Sequence, residues 1–203
     1  MELTLIRHGV TEYNEHALIQ GGGSDTPLNA LGRQQARQLA TVFDARIYDY
    51  IVVSPMKRTL ETAQILLGAQ NQYTMDERLQ ETNFGDWEGQ SITALQQQYP
   101  GCFDETGLIL PDYAAIAHGE TFQAVRERTR AITAATLKDY PNGKILFICH
   151  GSVIRALTAE MMHLAEVEQL DQVANLGLVR LKIQAEYPNN VRLLFYSRTY
   201  KDY

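Results

Sequence analysis

The sequence predicts an α/β fold: a three-layer αβα arrangement with a mostly parallel central sheet. Short apolar runs at residues 3–6, 50–53 and 145–149 lack inside/outside alternation, as expected of strands buried on both faces of a parallel sheet. Between them lie segments whose apolar residues recur with the helical period. Strand and helix therefore alternate, the pattern of a doubly wound sheet. The 203 residues suffice for a substantial core, and the expectation is a single domain over 1–203.

In chain order, the first strand, 3–6, runs into Arg7-His8-Gly9, and Gly21-Gly22-Gly23 mark a loop. Ala36, Leu39, Ala40 and Phe43 share a helical face, and after the strand at 50–53 so do Leu60, Ala63 and Leu67. Residues 85–119 differ. They carry one helical piece over 92–99, then Pro100, Gly101, Gly107 and Pro111, and are expected to form a cap or lid insertion. Phe122, Val125, Thr129 and Ile132 predict the next helix, 145–149 a strand and 153–162 another helix. Two last runs, 178–183 and 191–196, flank Tyr187-Pro188-Asn189-Asn190, which reads as the turn of a terminal hairpin.

A formal charge of −6 argues against broad attachment to nucleic acid or an anionic membrane, so an anionic ligand must be caught locally. Cys102 and Cys149 are far apart and predict neither a disulfide framework nor a zinc site. No run approaches the roughly 18 apolar residues of a membrane span, and the N-terminus lacks the basic-then-apolar layout of a signal peptide. The expected setting is the cytoplasm.

In open parallel sheets the loops leaving the carboxyl ends of the strands form the ligand crevice. Three strands end suggestively: in Arg7-His8-Gly9, in Ser54-Pro55-Met56-Lys57-Arg58 and in His150-Gly151-Ser152. Guanidinium forks match phosphate oxygens and a neutral imidazole can attack phosphorus, so two histidines and two arginines on one rim suit a phosphate monoester better than a metal. Backbone amides at Gly9 and Gly151, each near a helix start, are candidate further donors. A leaving alcohol also needs a proton. Glu81 is the first choice, although spacing alone does not choose among Glu81, Asp86 and Glu88. His16, His118 and His163 are expected at the surface or in loops, Trp87 and Tyr99 in packing, and Cys149 in the core.

These residues resemble the histidine phosphatase superfamily, in its phosphoglycerate-mutase-like branch, whose opening pattern Arg-His-Gly-x-Thr-x-x-Asn is met here by Arg7-His8-Gly9-Val10-Thr11-Glu12-Tyr13-Asn14. The resemblance continues, in order, through Gln20-Gly21, Asp25-Thr26-Pro27-Leu28-Asn29, Ser54-Pro55-Met56-Lys57-Arg58, Glu81, Trp87-Glu88-Gly89, Gly119-Glu120-Thr121 and His150-Gly151. It implies the phosphoglycerate-mutase-like fold. It also implies that His8 is the nucleophile, that Arg7, Arg58 and His150 bind the phosphoryl group, and that Glu81 donates the proton. Asn14 then lies near the phosphate, Gln20-Gly21 on the substrate side, and Gly151 beside His150 as its amide partner. Neither metal nor organic cofactor is implied, and the one partner is a small phosphorylated molecule. Val10 and Thr121 depart from the commoner residues, Thr121 keeping a hydroxyl able to cap the next helix. The run after Glu81 looks like phosphatases such as α-ribazole phosphatase and broad-specificity phosphatases, which favours hydrolysis. Phosphoglycerate-mutase-type transfer and a non-catalytic phosphate-binding module are the alternatives.

Overall fold

The computed structural model describes residues 1–68 and 72–202. Six strands form one mixed sheet: β1 (Glu2–Arg7), β2 (Tyr50–Val53), β3 (Thr74–Met75), β4 (Lys144–Cys149), β5 (Leu178–Gln184) and β6 (Tyr187–Arg198), in the spatial order β3-β2-β4-β1-β5-β6. The first four are mutually parallel, and β5 and β6 add an antiparallel edge. The helices are α1 (Glu12–Glu15), α2 (Ala30–Ala40), α3 (Lys57–Leu67), α4 (Ile92–Gln98), α5 (Tyr113–Ala117), α6 (Phe122–Asp139) and α7 (Gly151–Met161). None of the described helices is long and apolar enough to cross a membrane.

The missing alternation in the strand sequences has a direct cause. Leu3, Leu5, Ile145, Phe147 and Cys149 pack with Val125 and Ile132 of α6 and Leu157 of α7. Ile6, Leu146 and Ile148 pack with Leu39 of α2 and Leu66 of α3 in a separate cluster. Successive side chains point to opposite faces and each face is covered, so every position of 3–6 and 145–149 is buried, Thr4 being the one polar side chain among them.

Register then sets the crevice. Arg7 lies opposite Cys149 and Val53 opposite Ile148. His8, Ser54 and His150 therefore leave three neighbouring strands at one level of the sheet.

Several expectations need correction. The β5–β6 turn is at residues 185–186, with Gln184 opposite Tyr187, so 187–190 belong to β6. Helix α2 stops at Ala40, and Phe43 reaches the same apolar cluster from beyond the helix end. The four-residue α1, the five-residue α5 and the two-residue β3 are too short to show a period in sequence.

Residues 85–119 contribute no strand to the sheet among the described residues. They carry α4, α5 and an aromatic cluster, in which the Trp87 ring stacks on Phe103 at 5.6 Å and on Tyr99 at 5.5 Å. Both aromatics are packing residues, as expected. Thr121 caps α6, accepting from the Ala124 N–H at 3.2 Å.

Gly32 in α2 shows how tightly the loop after β1 is held. A Cβ there would lie 2.1 Å from the Val10 carbonyl oxygen and 2.7 Å from its nitrogen. Gly32→Ala is expected to cost about 1–3 kcal/mol, because backbone and not a flexible side chain must move. For a chain of this size that is a fall in Tm of roughly 2–4 °C per kcal/mol, read by thermal melting.

Candidate active site

His8, the first residue after β1, is 2% exposed. Its Nδ1 lies 2.7 Å from the Gly9 carbonyl oxygen. A carbonyl only accepts, so Nδ1 carries the hydrogen and, in the neutral ring, Nε2 keeps its lone pair. Burial, then Arg58 and Arg7, hold the imidazole well below its ordinary pKa, outweighing the opposite pull of the Gly9 carbonyl. The ring is therefore neutral at physiological pH.

Arg7 is half-buried beside it, with Nη1 donating to the Val173 carbonyl at 2.6 Å and Nε without a hydrogen-bond partner among the described residues. Arg58 sits in the first turn of α3, whose start is fixed by the Lys57 N–H donating to Asp25 at 2.7 Å. Each nitrogen of its guanidinium donates once: Nη1 to the Ser24 carbonyl at 2.7 Å, Nη2 to that of Gly21 at 3.1 Å, and Nε to Nδ1 of His150 at 3.2 Å. Burial lowers its pKa to about 10, still charged at neutral pH. Since His150 accepts at Nδ1, its Nε2 carries the proton and donates to Ser54 Oγ at 2.7 Å. The two imidazoles lie 5.3 Å apart, centroid to centroid, and burial and then Arg58 also depress His150.

Glu81 is 7% exposed and accepts from the Thr82 N–H at 2.9 Å and the Ser152 N–H, at the start of α7, at 3.5 Å. Burial raises its pKa, outweighing the amide of Thr82 and the charges of Arg58, Arg7 and Arg128. Its two rivals are used elsewhere. Asp86, with a 71% exposed side chain, pairs with His118 at 2.7 Å, and Glu88 accepts from the Gly23 and Phe84 amides at 3.0 and 3.2 Å.

Arg7, His8, Asn14, Gln20 and Glu81 line one cavity of about 210 Å³. Arg58, His150, Gly21 and Gly151 do not line it. Gly21 anchors Arg58, and Arg58 and His150 form a buried layer beside His8. The Gly9 amide is no free donor, contrary to expectation, because it donates to Thr62 Oγ1 at 3.1 Å. Asn14 both lines the cavity and closes the cap of α1 with Thr11. Gln20 accepts from Thr11 at 3.0 Å and donates to Thr26. Of the remaining histidines, His16 is exposed beside Glu12, and His118 and His163 occupy left-handed loop positions. Among the described residues no three His, Cys, Asp or Glu side chains are grouped to hold a metal ion.

The family model for the histidine phosphatase superfamily, branch 1, matches residues 3–194. The chain belongs to that superfamily. Relatives of this histidine phosphatase chain include the uncharacterized phosphatase PhoE of Bacillus subtilis, 34% identical over 77% of this chain and 75% of that one. The probable phosphoglycerate mutase GpmB of Cronobacter sakazakii is 31% identical over 91% and 86%. Among solved structures, the mycobacterial glucosyl-3-phosphoglycerate phosphatase in complex with VO3 superposes with a TM-score of 0.81 at 28% identity, covering 98% of this chain and 99% of the other. The α/β architecture of the superfamily thus extends over nearly the whole of this histidine phosphatase chain.

Sequence reasoning left several residues off the site. Ser54 follows β2 directly, so its position at a strand end was the available signal. Ser152 and Arg155 are three apart on α7 and both line the cavity. Gln172 also lines it, and Asn175 donates to the His8 carbonyl at 3.1 Å and to Asn14 at 3.2 Å. Both come from the irregular segment before β5, where no periodicity marks them.

The buried imidazoles make stability depend on pH. Below about pH 6.5 the unfolded chain protonates both rings while the folded chain does not. Stability is therefore full above that value and lost as pH falls. In His8→Gln the fall between pH 7 and 5 should be shallower than in wild type, by at most about 1.4 kcal/mol per pH unit. Denaturant melts across that range check it, and parallel curves would refute it.

Proposed function

We propose that this histidine phosphatase chain hydrolyses small-molecule phosphate monoesters through a phosphohistidine at His8. The observation that carries the reading is the His8 ring itself: buried, neutral, with Nδ1–H tied to the Gly9 carbonyl and two arginines, Arg7 and the buried Arg58, at its side. A merely phosphate-binding site has no use for such a nucleophile beside a carboxyl group whose protonated form is favoured.

In the first step Nε2 of His8 attacks phosphorus in line, the P–O bond to the alcohol breaks, and the Glu81 proton passes to the departing oxygen. In the second, Glu81 takes a proton from water as that water attacks phosphorus, and the N–P bond breaks to restore neutral His8. Arg7, which lines the cavity, meets the charge spread over the phosphoryl oxygens, and the charged Arg58 beside His150 adds to the positive field there. His150, braced by Arg58 and Ser54, holds the layer beside the ring. The segment 85–119 caps the cavity, supplying Ile92, Phe103 and Ile109 to its wall, and the chain works as one domain.

A phosphate-release screen over metabolite and aryl monoesters, run with EDTA, tests this. Release without added metal is the expected result. Isomerisation of a monophosphoglycerate without free phosphate would reassign the site to a mutase, and binding without turnover to a recognition module.

A further inference from the structure

Beyond the phosphoryl site the cavity has a divided wall. Leu18, Phe84, Phe103, Ile109 and Phe122 give it a broad apolar surface. Within that wall lies Arg155, on the face of α7 that also presents Ser152. Arg155 is 2% exposed. Nε donates to the Leu170 carbonyl at 3.0 Å and Nη2 to that of Val167 at 3.3 Å, which fixes the guanidinium plane. Nη1 has no such bond among the described residues, and no carboxylate lies within salt-bridge distance of the group.

Glu168, Asp104 and Glu81 act on Arg155 only from beyond salt-bridge distance, and a fixed guanidinium with a free nitrogen is suited to a planar, two-oxygen anion. Among the described residues Glu81 is the one acid lining the cavity, against Arg7 and Arg155. Once a phosphoryl group has engaged Arg7, Arg155 is the second cation of the cavity, with no carboxylate in direct contact.

We infer that the preferred substrate carries a second anionic group, a carboxylate, on an apolar body of aromatic size. The body lies against Phe84, Phe103 and Phe122, and the carboxylate meets Arg155. This deepens the phosphatase reading of the same cavity and rests on it.

The test compares aryl phosphates bearing a carboxylate, at the meta or para position, with their carboxamides, which share shape but not charge. For wild type, kcat/KM for at least one carboxylate should exceed that of its amide by roughly tenfold or more, chiefly through KM. In Arg155→Met the ratio should collapse towards one. The ratio is taken within each protein, so a general loss from disturbing the Val167 and Leu170 contacts cancels. If that variant does not fold, the wild-type ratio and that of Arg155→Lys decide the matter, the lysine retaining a partial preference. A monophosphoglycerate, which has the second anion without the apolar body, should be poorer than the aryl carboxylate by a similar factor.

Hydrolysis of carboxylate and amide with equal efficiency would overturn the inference while leaving the phosphatase reading intact. A preference that survives in Arg155→Met would remove Arg155 from it, and better turnover of the phosphoglycerate would remove the apolar body. Failure to hydrolyse any of these esters would defeat the phosphatase reading itself.

Discussion

His8→Ala is expected to lower kcat by roughly 10⁴-fold or more, the scale on which loss of a covalent nucleophile is felt when its partners cannot substitute for it. The ring has no understudy. His150 is 5.3 Å away, but Nδ1 accepts from Arg58 and Nε2 donates to Ser54, so neither nitrogen has a free lone pair. Rapid quenching of the wild type with labelled substrate should trap phosphate that is stable to base, labile to acid and located on His8. The variant should trap none. Phosphate found on another residue, or turnover within tenfold of wild type, would sink the proposed mechanism.

Glu81→Gln is expected to separate two kinds of substrate. An alkyl phosphate, whose alkoxide leaves poorly without a proton, should lose roughly 10²–10⁴-fold in kcat, and p-nitrophenyl phosphate far less. Equal losses would take Glu81 out of the acid role. The same substitution has a signed effect on stability. Burial raises the folded pKa of Glu81 above its ordinary 4.5, so the folded chain holds that proton more tightly than the unfolded chain. Glu81 therefore costs stability progressively as pH rises from about 4.5 to its folded value, and the full cost persists above that. Relative to wild type, Glu81→Gln should gain stability between pH 4.5 and 8, measured by denaturant unfolding. A protein made more stable and less active by one change is the expected mark of a carboxyl group kept desolvated for its chemistry.

What was legible in the sequence was set by local pattern and chemistry. Both-face burial writes itself into residues 3–6 and 145–149 as runs without inside/outside alternation, and one-face burial writes a helical period into α2, α3 and α6. Polar residues placed directly after such strands stand out, so His8, His150 and Arg58 group together from sequence alone, and the family resemblance follows from those same blocks. Hydrophobic pattern also shows where a strand stops, which is why the crevice could be assigned to the strand ends.

Other features depend on distances between segments far apart in the chain. Glu81, Asp86 and Glu88 are chemically interchangeable on paper; only folding buries Glu81 behind α7 while sending Asp86 to His118 and Glu88 to the Gly23 amide. The Gly9 amide looked available until Thr62, 53 residues on, took it. Arg58 and His150 were grouped by their strand ends, but only folding joins them to each other and turns three of the Arg58 N–H groups to Gly21, Ser24 and His150 and the His150 Nε2–H to Ser54. Asn175 and Gln172 reach the site from an irregular segment, where backbone direction is decided by contacts and not by period. By itself the sequence determined the layers, the strand ends and the kind of chemistry those ends carry, because these follow from neighbours along the chain. Which carboxyl group is desolvated, which imidazole nitrogen stays free and which arginine faces the cavity were decided by the tertiary structure, because burial and hydrogen-bond partners are properties of packed space.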